Sequence, residues 1–261
     1  GIALYHSVFG FTSAFRVLLA DGRSAGFRAQ MIMLGSACLL FFPALAGGTL
    51  FGQPVAGNVS PVGVSVVFGS FIFGVGMQLG GGCASGTLFT AGGGSVRMLV
   101  TLLFFIIGSV FGVIHQAWWK ALPSLEPISL VETLGWLPAL ALNIAVFAIA
   151  YFSVARIERR RHGAVASISR IEHASWLRGP WPLLAGALAL ELLNFTTLYL
   201  SGKPWGITSA FGLWGGMALQ SAGVPVETWP GFAAPAMQKS LNSNLLSDIT
   251  SVMDFGIILG A

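Results

Sequence analysis

The sequence predicts an all-α integral membrane protein, a multi-span helical bundle with inverted pseudo-repeats and short re-entrant helices inside the membrane. Three observations carry this. Only 8% of the 261 residues are Asp, Glu, Lys or Arg, while 55% are apolar; a soluble domain carries about 25% charge. No charged residue occurs between Arg28 and Arg97, a stretch far longer than the roughly 20 residues of one span. The string GFTSAF at Gly10–Phe15 returns as GITSAF at Gly206–Phe211.

Glycine and proline divide the apolar runs. The N-terminal segment around residues 6–16 is short and Gly-flanked, too broken for a full span. Five firm spans follow at about 29–47, 62–79, 98–119, 134–155 and 182–200, with a polar loop around Gln53–Pro61 after the first. A Gly-rich stretch, 80–94, separates the second span from the third. Residues 204–223 are apolar but rich in Gly and Ser, and a last apolar run starts near Asp248. Asp248 and Asp254 flank that run and are expected at an interface. Trp118-Trp119 and the 176–181 stretch read as aromatic belts.

The basic residues orient the chain. If 80–94 leaves and returns on one side, Arg16, Arg23, Arg28, Arg97, Arg156, Arg159, Arg160, Arg161, Arg170 and Arg178 share a face, against Lys120, Lys203 and Lys239 on the other. The N-terminal segment and the 156–180 loop are therefore expected in the cytoplasm, and the Arg cluster is a topology anchor rather than a nucleic-acid site. The formal net charge of +4 is modest, so no nucleic-acid partner is expected. Disorder is excluded by the apolar content, and collagen by the absence of a three-residue Gly period. The two cysteines, Cys38 and Cys83, make no disulfide framework or zinc cluster, and the four histidines lie far apart. No phosphate-binding GxxxxGK[ST] loop occurs, and no cofactor is expected.

Five spans between the two TSAF copies invert the second relative to the first, which is the plan of many transporters. The expected organisation is one transmembrane domain over 1–261, with pseudo-repeats at about 1–155 and 180–261. The counterpart of Gly80–Gly86 falls near position 276, so the second copy is expected to be cut short after Ala261.

The chemistry concentrates in Gly80–Gly94. Gly82 lets the backbone bend, and Cys83 to Thr90 fit about two turns of helix beginning at Cys83, Ala84, Ser85 and Gly86. Irregular backbone at membrane depth is tolerated only inside protein or against a cavity, and the free N–H groups at a helix start favour an anion. Thr12 and Ser13 after Gly10, and Thr208 and Ser209 after Gly206, offer similar starts. Converging helix starts make an electropositive cage with no Lys or Arg. The Cys83 thiol is a weak, soft donor, best neutral beside an anion; a small packing residue is its other reading. Cys38, in a plain apolar run, reads as packing. Glu191, inside the fifth span, is either an acid facing a partner or a proton path, or an acid near an interface that meets Asn194 and backbone donors.

The strings GGGCASGTLFTAGGGS, HSVFGFTSAFR and GKPWGITSAFGLWGG resemble the YeeE/YedE sulfur-transport family of bacterial inner-membrane proteins, over most of the chain. The resemblance implies a pseudo-symmetric multi-span fold, in-membrane loops dipping to a central constriction, and thiosulfate passed along cysteine thiols by S–H hydrogen bonds. Cys83 matches the family's central cysteine. Gly10 stands where the family commonly has cysteine, as either a natural variant or an engineered change, and the second-half Gly-Cys motif is expected beyond Ala261. A cytoplasmic sulfur-carrier protein as partner is implied by the resemblance alone. The expected function is a non-enzymatic thiosulfate importer. A channel for a small neutral solute and an intramembrane thiol sulfurtransferase are the alternatives; the latter needs a base, and none is near Cys83 in sequence.

Overall fold

The computed structural model describes residues 1–169 and 179–261; the expectations for Arg170, Trp176 and Arg178 lie outside the described residues. Helices dominate: α1 (Ile2–Ser7), α2 (Phe11–Asp21), α3 (Ala25–Gly47), α4 (Val64–Gly80), α5 (Ala84–Gly92), α6 (Val96–Lys120), α7 (Leu130–Leu134), α8 (Trp136–His162), α9 (Leu183–Ser201), α10 (Thr208–Ser221), α11 (Pro235–Leu241) and α12 (Ile249–Leu259). The described strands are a two-residue antiparallel pair, β1 (Thr49–Leu50) and β2 (Gln53–Pro54). Among the described residues, six stretches are long and apolar enough to cross a membrane: Ile2–Asp21, Ala25–Gly47, Val64–Gly92, Val96–Lys120, Trp136–His162 and Leu183–Ser201. The protein is a multi-pass α-helical membrane protein.

All five expected spans are present, displaced by a few residues at their ends. The largest difference is α8, which continues through Arg156–Arg161 to His162, so the first part of the expected 156–180 loop is helical. Arg159, Arg160 and Arg161 occupy its last turn, where cations complement the helix dipole. The N-terminal segment, expected to be too broken for a span, reaches span length as two helices interrupted at Val8–Gly10.

The chain forms two compact units. One comprises residues 61–126 and 206–261 with Gly1; the other comprises 2–60 and 127–205. In the first, α4 and α6 are antiparallel. Gly63, before α4, bridges Ser124, after α6, and Gly80 at the far end of α4 lies against Thr101 of α6. The chain thus leaves and re-enters at one end of this helix pair, with α5 as the excursion between. α6 also packs on α10, where a Cβ at Gly215 would overlap Val110 and one at Gly212 would crowd Val113. Small residues let helices approach closely where lipid supplies no hydrophobic drive. Val110, Leu213, Val226, Phe232 and Leu241 form the core. α4 buries no residue, and Phe68 and Phe71 are exposed, as suits a lipid-facing surface.

In the second unit α3 packs on α8 and α9, α2 on α3, and α1 on α9. Its core includes Phe41, Ala44, Val55 and Leu198. The end of α8 is fastened by a buried polar cluster. Glu158, fully buried, accepts from Ser24 N (3.1 Å) and Oγ (2.5 Å) and from Ala166 N (3.1 Å). Arg28 Nη2 approaches it at 3.8 Å and donates to the Ala166 carbonyl, while Arg28 Nε donates to Ser24 Oγ at 2.9 Å. Arg28 is therefore more than a surface anchor: it is 4% exposed because Glu158 neutralises it inside the unit. Removing one partner of such a pair strands the other charge. Glu158→Ala is expected to destabilise the protein by about 3 kcal/mol; the check is the thermal midpoint in detergent, which Glu158→Gln, keeping the acceptor oxygen, should lower less.

Candidate functional site

α4 stops because Gly81 adopts a left-handed φ of +78°, a conformation that costs other L-residues about 1–2 kcal/mol. Cys83 then takes the N-cap position with extended backbone (φ −77°, ψ −177°), and Thr87 N closes the first turn on the Cys83 carbonyl at 2.8 Å. The amides of Ala84, Ser85 and Gly86 precede that bond, so the start of α5 presents free N–H groups. The Cys83 thiol and Ser85 hydroxyl lie 3.4 Å apart, one donating to the other. Gly82, Cys83, Ala84, Gly86 and Thr87 are buried and Ser85 half-buried, unlike the open face of α4. The buried Thr87 hydroxyl has no hydrogen-bond partner among the described residues. A Cβ at Gly82 would lie 3.1 Å from it and one at Gly86 3.4 Å from Cys83 Sγ, so Gly82 keeps open the space beside the Thr87 hydroxyl and Gly86 the space beside the thiol. Arg97, a topology anchor in the sequence reading, lies beside Gly81.

α12 packs along α5 and against α10, and Gly92 abuts the Ile258 backbone so closely that a Cβ there would overlap its carbonyl oxygen. Since that contact joins the C-terminal parts of two helices packed along each other, α5 and α12 run in the same sense. At the start of α10, Ser209 Oγ donates to Thr250 Oγ1 of α12 at 3.4 Å, and Trp214 Nε1 donates to Ser251 Oγ at 2.8 Å. The structure thus gathers Gly82, Cys83, Ala84, Ser85, Gly86, Thr208 and Ser209 into one unit. Sequence reasoning missed Thr87, Thr250 and Ser251; a hydroxyl at the same helical level as a neighbouring helix start was their only signal. It misplaced Asp254, expected at an interface but fully buried mid-α12, since a charge count cannot register which face of a helix packs. Asp248 does cap α12, accepting from Ser251 N at 2.8 Å and Oγ at 2.7 Å.

Gly10, Thr12, Ser13 and Glu191 lie in the other unit. Ser13 Oγ donates to the Gly10 carbonyl at 3.0 Å, and the corresponding Ser209 Oγ lies 3.8 Å from a Cβ built on Gly206. Gly10 and Ser13 line a cavity of about 220 Å³. Gly10 has extended backbone (φ −140°), and a Cβ there would meet only Ser13 Oγ, at 3.2 Å, so the backbone itself does not demand glycine. Thr12 is buried. Glu191 is 3% exposed, and its Oε1 has no partner among the described residues; Asn194 is engaged elsewhere, accepting from Trp205 N at 3.2 Å. Cys38 is half-buried on the wall of a cavity of about 900 Å³ shared with Phe41, Val55, Ser129 and Glu132, rather than sealed in a core. Among the described residues no cluster of His, Cys, Asp or Glu is arranged to hold a metal ion.

A family model described as sulphur transport matches residues 6–261. The chain is 27% identical over 228 residues to the thiosulfate transporter TsuA of Spirochaeta thermophila, across 79% of this chain and 63% of that protein. It is 27% identical over 164 residues to the probable transporter YedE of Salmonella typhimurium, and 26% identical to that of Escherichia coli. Each of those matches covers 61% of this chain and 39% of the relative. The chain thus spans less than two thirds of the length of these curated relatives.

The tight α5–α12 contact yields a prediction. In a Cys38→Ser background, Cys83, 8% exposed, should react slowly with a water-soluble methanethiosulfonate. Adding Gly92→Ala should separate α12 from α5 and speed labelling of Cys83 about tenfold, equivalent to ~1.4 kcal/mol of easier local opening; mass spectrometry of the labelled protein gives the rate.

Proposed function

The chain belongs to the sulphur-transport family, and on that premise we propose that it imports thiosulfate across a bacterial inner membrane through the start of α5. The observation that carries this reading is Cys83 at the N-cap of a short, buried helix that follows a glycine break, with the Ala84, Ser85 and Gly86 amides unclaimed by any backbone carbonyl among the described residues. TsuA, a relative over 79% of this chain, is named for the same anion.

The amides and the positive end of the α5 dipole attract a divalent oxyanion and hold it loosely enough to leave. The thiol donates its S–H to the passing anion and keeps its proton; no bond to sulfur forms or breaks. Ser85 orients the thiol. Cys83 has no base hydrogen-bonded to it among the described residues, which favours passage over covalent sulfur transfer. Gly10 leaves the start of α2 without a second thiol, so the relay in this chain rests on Cys83. The repeated strings Gly10–Phe15 and Gly206–Phe211, each at the start of a helix, support two inverted pseudo-repeats, over about 1–155 and 180–261, with Thr12, Ser13, Thr208 and Ser209 in the first turns. The distribution of basic residues supports a cytoplasmic N-terminal segment and 156–180 region, the side on which a sulfur-carrier protein would receive the thiosulfate.

Losing one hydrogen bond to a charged group costs roughly 1.5 kcal/mol at the weak end, about a factor of ten. Uptake of radiolabelled thiosulfate by liposomes containing Cys83→Ala should fall by about that factor, with Cys83→Ser in between. Uptake equal to the parent's would remove the thiol from the pathway.

A further inference from the structure

One ionisable side chain packed into the α5 unit has no part in the pathway above. Asp254 stands in the middle of α12, fully buried, and neither carboxyl oxygen meets a hydrogen-bond donor among the described residues. Its neighbours are occupied with each other. Ser251 gives its N–H and hydroxyl to Asp248 and accepts from Trp214, whose ring stacks on Phe255 at 5.1 Å.

The elements against α12 supply no counter-charge. α5 carries no ionisable side chain apart from Cys83 at its cap, and α10 carries none. The turn Leu245–Ser247 leads into Asp248, which is itself negative. Gly1 lies at the C-terminal end of α12 against Ile257 and Gly260. No described Lys, Arg, His or terminal amine forms an ion pair with Asp254. A bare carboxylate cut off from water, donors and cations is the least favourable state for this group, and the ordinary resolution is to take up a proton.

Position links this acid to the anion. From the Gly92–Ile258 contact, one turn back along the two helices stand Leu88 and Asp254. Another turn back stand Ala84 and Thr250, at the two helix starts, the first of which is the proposed anion site. A carboxylate one turn below a divalent anion in a water-poor interior repels it, whereas the neutral acid does not. Each ligand therefore favours the other, and the linkage is reciprocal.

We propose that Asp254 is the proton site of a proton-coupled importer, binding a proton from the outer side when the anion enters and releasing it to the cytoplasm when the anion leaves. The proton bonds to a carboxylate oxygen and returns to water; no electrons move. This rests on the transport reading above. The chemistry is a carboxyl group titrating in step with an oxyanion, and α12 is the element through which the two meet.

The test uses the full chain in liposomes with the membrane potential clamped. For one proton per anion, an inward gradient of one pH unit should raise steady-state accumulation of labelled thiosulfate about tenfold. Asp254→Asn should keep thiosulfate–thiosulfate exchange but lose the response to the gradient. Should that variant fail to fold, Asp254→Glu, which keeps the acid, must still respond, and the purified parent in weakly buffered detergent must take up protons when thiosulfate is added. Accumulation indifferent to the proton gradient, accumulation driven by sodium instead, an Asn variant that responds like the parent, or no thiosulfate-linked proton uptake each overturns the proton site. A parent that exchanges thiosulfate but ignores the gradient defeats this inference alone; a parent that neither exchanges nor accumulates it defeats the transport reading, and this inference with it.

Discussion

A hydrocarbon interior offers no water to a backbone amide, and the rest of this structure depends on that constraint. A helix may stop and restart at membrane depth only where protein or a lined cavity replaces the lost hydrogen bonds. α4 and α5 show the two sides of the rule. α4 is continuous and buries none of its residues. α5, nine residues long and starting after a break, buries most of its residues between its neighbours. The break is made by Gly81, whose left-handed backbone ends one helix and lets Cys83 begin the next. The amides left open by that break are the feature on which the proposed pathway rests; the burial of α5 is what makes them tolerable.

The same economy of charge governs the acidic residues, with different outcomes. Glu158 accepts from Ser24, Ala166 and Arg23, faces the charge of Arg28 and holds the end of α8 in place. Its charge is needed there because Arg28 is buried with it. Glu191 and Asp254 are equally hidden, yet each has oxygen atoms without a donor among the described residues. A buried acid inside a donor shell is a fastener; one without such a shell takes no part in that fastening.

Close helix contacts in the unit that contains Cys83 are made through glycine. Gly212 and Gly215 let α10 lie against α6, and Gly92 lets α12 lie against α5. These positions look alike in the sequence to the glycines of the loops. Their role appears only when a Cβ is built on each and meets a neighbouring backbone or side chain.

Apolar length without charge determined the fold class, because a chain with so few ionisable groups has no way to clothe itself in water; five spans were legible with their ends blurred by one or two turns. The glycines around Cys83 marked the candidate helix start for the same local reason, since backbone freedom is written in residue type. The tertiary structure alone decided which helices gather around that start, that Ser209 meets Thr250, and that Arg28 and Asp254 are buried rather than at a surface. Those facts depend on which face of each helix meets which neighbour, and partner choice between apolar helices leaves almost no trace in a sequence whose lipid-facing and protein-facing residues are equally hydrophobic.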